Sequence, residues 1–314
     1  MELVRRAVID VGTNSVKLLV AEVTGREVRP MLEESRQTRL GKDFYETRIL
    51  QPEAVARTAG AVASLAGHAR ALNPASLRVI ATSAARDAQN AGDLTAAIQT
   101  ATGLTTEIIS GGQEAEWSFQ GVTTDPRLAE EPLLILDVGG GSTEMILGCG
   151  RRQELARSFP LGTIRLLEQF APADPPGTTD HTVCRDWVRA FLRDQVRPQL
   201  APAWPAETAI GSVQLVGTGG TATLLGRMER PADHFDREAI ESVRLSLDQL
   251  TTRRAGLWSM TMAQRQNIPG LPPSRADVIL TGVVIYEAVM EVFGFQQLSI
   301  STRGLRFAAV MQAG

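Results

Sequence analysis

Ile9-Asp10-Val11-Gly12-Thr13-Asn14-Ser15 decides the fold, because its pattern returns without a gap as Leu136-Asp137-Val138-Gly139-Gly140-Gly141-Ser142. In each copy an apolar run delivers an aspartate to a turn of small residues. The apolar run then resumes, as Val16-Lys17-Leu18-Leu19-Val20 in the first copy and Met145-Ile146-Leu147 in the second. Both read as strand, tight turn, strand. Aspartate, valine, glycine and serine shared in one register, 127 residues apart, mark an internal duplication.

Outward from the hairpins, helices and strands alternate. Ala-rich Pro52–Leu72 opens on Gln51-Pro52-Glu53 and closes at Asn73-Pro74, the start and stop signals of a helix. Leu77–Ala81 predicts a short buried strand, followed by helix through Ala101, a strand over 105–109 and a helix over 113–122. Thr123-Thr124-Asp125-Pro126, with Glu130-Glu131-Pro132 just beyond, predicts a linker. The domains are then residues 1–126 and 127–314, with the last helix able to pack back on the first domain. In the second half, strands to Phe159 precede helices over 164–170 and 181–199 and a strand over 213–216. Pro172–Gly177 and Ala201–Pro205 are proline-punctuated loops. An apolar helix over Ala276–Phe293, a strand at Leu298–Ser301 and a helix over Leu305–Gln312 complete an α/β chain of two duplicated halves.

The 314 residues are 43% apolar and 21% charged, enough for two cores. A formal charge of -3 excludes the global positive field of a protein that coats nucleic acid or an anionic membrane. An anionic ligand must therefore be met by local donors. Cys149 and Cys184 lack C-x-x-C spacing and His68, His181 and His234 are scattered, which excludes a structural zinc site and points to a reducing compartment. Met1–Arg6 runs into a strand without an apolar leader, and no apolar run nears the ~18 residues of a membrane span. The expectation is a cytoplasmic protein that binds neither nucleic acid nor membrane.

Small residues in the two turns let backbone N–H groups approach an anion as a phosphate-sized nest. Gly12 and the Gly140-Gly141 pair supply the backbone; Thr13, Asn14, Ser15, Ser142 and Thr143 add side-chain donors. One such turn is equally explained as a type I′ hairpin. Two copies, each preceded by an aspartate, are not. Asp10 and Asp137 stand where a carboxylate can hold Mg²⁺ or its water beside phosphates. Glu144 emerges on the outgoing strand of the second hairpin and reaches the same ion, a turn-capping hydrogen bond being the alternative for each carboxylate. Lys17 takes the register of Glu144 in the first copy, so only the second hairpin has paired carboxylates. A third loop, Gly217-Thr218-Gly219-Gly220-Thr221-Ala222, follows a strand and leads into a helix, a setting for phosphate or a nucleotide edge. By letters it meets a loose dinucleotide fingerprint, but no strand ending in an acid follows about 20 residues on. No Gly-x-x-x-x-Gly-Lys-Ser/Thr occurs, which excludes a P-loop NTPase.

With these segments stand Ala81-Thr82-Ser83-Ala84-Ala85-Arg86-Asp87, Ile109-Ser110-Gly111-Gly112-Gln113-Glu114-Ala115, Pro160-Leu161-Gly162-Thr163-Ile164-Arg165, Arg275-Ala276-Asp277-Val278-Ile279 and Ser301-Thr302-Arg303-Gly304-Leu305-Arg306. In this order, over nearly the whole chain, they resemble the exopolyphosphatase and guanosine pentaphosphate phosphohydrolase family. The resemblance implies two RNase H-like domains of the actin, sugar-kinase and Hsp70 superfamily with an interdomain cleft. It implies that Glu114 is the general base aiming water at the terminal phosphorus, a residue that by itself reads as a helix N-terminal acid. Arg86 and Arg165 would by themselves be surface charges, Arg86 paired with Asp87. The resemblance makes Arg86 catalytic and Arg165 a phosphate ligand alongside the glycine loops, including Gly217, Gly219, Gly220 and Thr221, with Asp137, Glu144 and Asp10 on Mg²⁺.

The implied reaction is Mg²⁺-dependent release of terminal orthophosphate from inorganic polyphosphate, by a homodimer. Guanosine pentaphosphate is the alternative substrate, and a non-catalytic sensor of either anion the alternative class. Retention of Glu114, Asp137 and Glu144 argues against the sensor, and the setting of Ser110–Ala115 against a kinase of the same superfamily. Departures from the family pattern are Gln113 in place of a frequent glutamate, Phe307-Ala308 in place of a frequent Glu-Gly, and the lack of the metal-binding helical extension of long members. The last implies weak processivity on long chains.

Overall fold

The computed structural model describes residues 2–203 and 213–312. The chain divides into two compact units, Met1–Asp125 with Arg303–Gly314, and Pro126–Thr302. It leaves the first unit inside the predicted linker and returns at Thr302-Arg303, so the closing segment stands with the first unit rather than with residues 127–302.

The first unit runs β1 (Val4–Val11), β2 (Ser15–Thr24), β3 (Glu27–Gln37), α1 (Pro52–Ala71), β4 (Ser76–Ala81), α2 (Ser83–Asp87), α3 (Ala91–Thr102), β5 (Thr106–Ile108) and α4 (Gly111–Val122). Its sheet has the order β3-β2-β1-β4-β5. The near-continuous apolar runs of β1 and β2 follow from burial on both faces. Ile9, Val11, Leu18 and Val20 meet the core built with α1 and α3, whereas Val8, Leu19 and Ala21 meet Trp117 and Phe307 on the other face. Successive side chains alternate between faces, so one strand serves both cores.

The second unit runs β6 (Pro132–Val138), β7 (Thr143–Cys149), β8 (Arg152–Phe159), α5 (Thr163–Phe170), α6 (Thr178–Phe191), α7 (Arg197–Leu200), β9 (Gln214–Thr218), α8 (Gly219–Glu229), α9 (Arg237–Glu241), β10 (Arg244–Ser246), α10 (Leu247–Ser259), α11 (Met262–Arg265), α12 (Ile279–Phe293) and β11 (Gln297–Ile300). The last helix, α13 (Leu305–Met311), packs on α4, β1 and β2 of the first unit. A π turn over Leu192–Val196 joins α6 to α7 inside the helix predicted over 181–199. The loop predicted at Ala201–Pro205 begins as a 3₁₀ turn over Ala201–Ala203, and Trp204 and Pro205 lie outside the described residues.

The second sheet has the order β10-β11-β9-β6-β7-β8. In the first unit β3, β2 and β1 are successively antiparallel and β4 and β5 continue parallel to β1. In the second, β8, β7 and β6 are antiparallel and β9 and β11 continue parallel to β6, with β10 added at the edge. The duplication seen at the hairpins extends to the order and sense of five strands. Helix α12 starts at Ile279, behind a 3₁₀ turn at Pro273–Arg275, rather than at Ala276. It is buried along nearly its whole length, and of its two acids Glu287 is fully buried and ion-paired with Arg254 of α10 at 2.6 Å, while half-buried Glu291 near its end pairs with Arg189 of α6.

Candidate active site

In the first unit the carboxyl ends of β1, β4 and β5 are tied together, Thr82 N donating to the Val11 carbonyl at 3.2 Å and Ile109 N to the Ala81 carbonyl at 3.0 Å. Chain segments leaving such parallel strand ends are where α/β proteins place ligands. Neither Thr13 nor Asn14 has a positive φ, so the turn is not type I′. Gly12 suits the close approach here, since a Cβ there would stand 3.2 Å from the Ser15 carbonyl oxygen and the turn would have to give slightly. The turn is held from behind: the Asn14 carbonyl accepts from Thr38 N and Arg39 N at 3.1 and 3.0 Å, and the Thr13 carbonyl from Gly41 N at 2.8 Å. In a trans peptide C=O and N–H point oppositely. The N–H groups of Asn14 and Ser15 therefore face away from this loop.

Glu114 sits in the first turn of α4, whose N-cap Ser110 accepts from Gln113 N. It is 7% exposed. Arg86, at the end of α2, does not pair with Asp87, which instead meets Arg48 at 3.4 Å. Its Nη1 donates to Glu114 Oε2 at 2.9 Å and to the Ile109 carbonyl at 3.1 Å. Sequence reasoning passed over Ser83, one helical turn before Arg86. The hydroxyls of Ser83 and Thr13 are buried without a hydrogen-bond partner, as suits donors waiting for an anion. A hydroxyl residue at a strand-to-helix junction was the available signal.

In the second unit the same device recurs with different parts. Thr163 N, Ile164 N and Arg165 N, at the start of α5, donate to the carbonyls of Gly139 and Gly140, and Arg165 Nε donates to the Gly141 carbonyl at 2.9 Å. Three consecutive carbonyls thus turn toward α5, and the N–H groups of Gly140, Gly141 and Ser142 point to the opposite side, an arrangement able to take an anion. The approach needs Gly162, where a Cβ would lie 2.5 Å from the Gly140 oxygen. Thr143 donates its hydroxyl proton to the Leu161 carbonyl, and so fastens the loop to the segment that leads into α5.

Asp137 and Glu144 are directly opposed on β6 and β7, 8% and 1% exposed. Directly opposed residues share a face of the sheet, and like charges there repel. In the first unit the matching partner of Asp10 is Lys17. Among the described residues no three His, Cys, Asp or Glu side chains gather as a metal site. Two buried carboxylates side by side are nevertheless the donor set Mg²⁺ takes, since it keeps waters and binds phosphate oxygens as well. Asp10 belongs to the other unit.

The third glycine loop lies beside this pair. Thr218 is registered with Asp137 across β9 and β6, and its buried hydroxyl has no hydrogen-bond partner. Gly219 opens α8 with φ 82, and a Cβ on it would stand 2.3 Å from Asp137 Oδ1. Gly220 and Thr221 fill the first turn of that helix. Burial first, and then the Asp137 charge, pushes the Tyr286 hydroxyl well above its ordinary pKa, against a backbone hydrogen bond at Val138. Among the sequence-predicted residues, the structure groups Asp10, Gly12–Ser15, Arg86 and Glu114 on the first unit, and Asp137–Glu144, Arg165 and Gly217–Thr221 on the second.

A model of the Ppx/GppA phosphatase family matches residues 19–312. Exopolyphosphatase 2 of Mycobacterium tuberculosis is 34% identical over 322 residues, spanning 96% of this chain and 96% of its own. The crystal structure of an exopolyphosphatase from Cytophaga hutchinsonii superposes with a TM-score of 0.83 at 26% identity, covering 97% of this chain and 96% of that one. That of the Aquifex aeolicus Ppx/GppA family member superposes with a TM-score of 0.78 at 26% identity, covering 99% and 97%.

Proposed function

Because the chain belongs to the Ppx/GppA phosphatase family, we propose that it is a hydrolase of phosphoric anhydrides, an exopolyphosphatase releasing terminal orthophosphate from inorganic polyphosphate. The observation that carries this reading is the contact of Arg86 with Glu114. Phosphoryl transfer to water needs positioning and neutralised charge more than covalent help. A carboxylate held in orientation by a guanidinium, beside a turn that presents N–H and hydroxyl donors, supplies both.

In this reading water attacks the terminal phosphorus while Glu114 accepts its proton, and the bridging P–O bond breaks toward the remaining chain. Both described bonds of Arg86 use Nη1, so Nε and Nη2 face the task of holding phosphate oxygens. Further phosphate-binding groups are, on the first unit, the N–H groups of Asn14 and Ser15 with the hydroxyls of Thr13 and Ser83, and, on the second, the N–H groups of Gly140, Gly141 and Ser142 with the Thr218 hydroxyl and the start of α8 at Gly219-Gly220-Thr221. Arg165 fastens the second turn and lends it positive charge. Asp137 and Glu144 would hold Mg²⁺, which when bound neutralises charge on the phosphate oxygens.

The matched strand orders support reading both units as RNase H-like domains of the actin, sugar-kinase and Hsp70 superfamily. A cytoplasmic homodimer completes the proposal, and light scattering on the purified protein tests the dimer. No described helix is long and apolar enough to cross a membrane.

Guanosine pentaphosphate carries the same type of bond, and orthophosphate release separates the substrates. Long polyphosphate, short polyphosphate and guanosine pentaphosphate are compared with Mg²⁺ and with chelator. Release from polyphosphate that needs Mg²⁺ is the expected result. Release from guanosine pentaphosphate alone overturns the substrate, and binding without release overturns the enzyme.

A further inference from the structure

Tyr286 stands in the middle of α12 and is fully buried. Phenylalanine would fill such a place as well, so the hydroxyl needs its own reason. It lies 3.2 Å from the Leu136 carbonyl and 3.1 Å from the Thr218 carbonyl. These belong to neighbouring parallel strands, β6 and β9, whose register closes with Asp137 opposite Thr218. One O–H carries one proton. Shared between two carbonyls, it ties the strand ends together where the sheet opens into the second turn and α8.

The glycines of the third loop fit around this tie. A Cβ on Gly217 would stand 2.8 Å from the Tyr286 ring and 3.0 Å from its hydroxyl. Two residues on, Gly219 leaves room for the Asp137 carboxylate, against which a Cβ would stand at 2.3 Å. Tyr286 thus bears on Gly217, and Asp137 on Gly219, along one short stretch of backbone. Any change in the spacing of the two strand ends moves the carboxylate relative to the loop.

We propose that Tyr286 is a positioning residue that sets Asp137 and the Gly217–Thr221 loop in the geometry that takes a divalent cation and a phosphate oxygen together. This rests on the reading that Asp137 and Glu144 hold Mg²⁺. Tyr286 touches neither ion nor substrate; it acts through the backbone of Leu136 and Thr218.

The test uses Mn²⁺ as a paramagnetic probe of the Mg²⁺ site, its free signal titrated against full-length wild type, Tyr286→Phe and Asp137→Asn without substrate. Metal-free melting and the Mg²⁺ dependence of phosphate release are measured alongside. Tyr286→Phe keeps the ring and is expected to fold, to bind Mn²⁺ about tenfold more weakly and to raise half-saturating Mg²⁺ by a similar factor. Its kcat at saturating Mg²⁺ stays within about twofold of wild type. Gly217→Ala, which presses the ring from the other side, is expected to weaken Mn²⁺ in the same direction. Wild-type Mn²⁺ affinity in Tyr286→Phe overturns the role of Tyr286 if Asp137→Asn has lost the ion. Wild-type affinity in Asp137→Asn overturns the metal reading itself, and the inference with it.

Discussion

Arg86 reaches Glu114 through Nη1 alone, 2.9 Å from Oε2, and the same nitrogen donates to the Ile109 carbonyl at 3.1 Å. One nitrogen thus holds both the start of α4 and its acid, and the rest of the planar fork is oriented by that grip. Lysine could replace the charge but not the fork. Arg86→Lys is therefore expected to lower kcat for phosphate release by about 10²-fold while the melting temperature changes little. A variant within about twofold of wild type would contradict a role for the guanidinium in the reaction.

The second turn depends on α5 approaching it without a side chain between. Gly162→Ala puts a Cβ 2.5 Å from the Gly140 oxygen and the Gly141 carbonyl carbon, which forces the helix start away from the turn. Expected are a stability loss of about 1–3 kcal/mol by denaturant unfolding and a raised KM. Gly67→Ala is the opposite case, since that glycine lies within α1 and nothing stands within 4 Å of the added carbon. It is expected to stabilise by about 0.5–1 kcal/mol with unchanged activity.

The buried pair Arg254–Glu287 contributes to the fold and not to the reaction. Glu287→Ala leaves Arg254 buried without its partner, and is expected to cost about 3–5 kcal/mol in denaturant unfolding with kcat retained at low temperature. A loss under about 1 kcal/mol would show that the pair behaves as an exposed one.

His181 gives the second unit a pH dependence. Burial first, and then the charges of Arg254 and Arg185, lower its pKa from 6.5 to about 4. Between those values the unfolded chain binds a proton that the folded chain does not, so stability falls as pH drops from 6.5 toward 4 and levels off below. His181→Leu is expected to remove this part of the slope. Identical slopes in wild type and variant, measured by urea unfolding across that window, would contradict the assignment.

What was legible in the sequence was what repeats or punctuates. Two aspartate-glycine turns in one register revealed the duplication, and Asn73-Pro74 and Gly217–Thr221 marked element ends. The strand β3 was not read, because Glu27–Gln37 is an edge strand rich in charge, with Pro30 inside it, and its burial pattern alternates only in part. The site was legible as a set of residue types but not as a set of contacts. Arg86 was expected beside Asp87, its chain neighbour, and instead reaches Glu114 because β4 and β5 end side by side. Local sequence supplies the nearer acid, and only the parallel pairing supplies the correct one. Tyr286 was hidden for the converse reason: in an apolar helix a tyrosine reads as packing, and the carbonyls it reaches lie 150 and 68 residues away in the chain.

The role proposed for Glu114, to accept the proton of the attacking water, is probed by Glu114→Gln, because the amide keeps the shape and cannot take the proton. Orthophosphate release from polyphosphate with Mg²⁺ is followed for wild type and variant, together with binding of the same polyphosphate. Release lowered by about 10²-fold or more with binding retained is the expected result. Release at the wild-type rate would contradict it and move the base elsewhere in the protein.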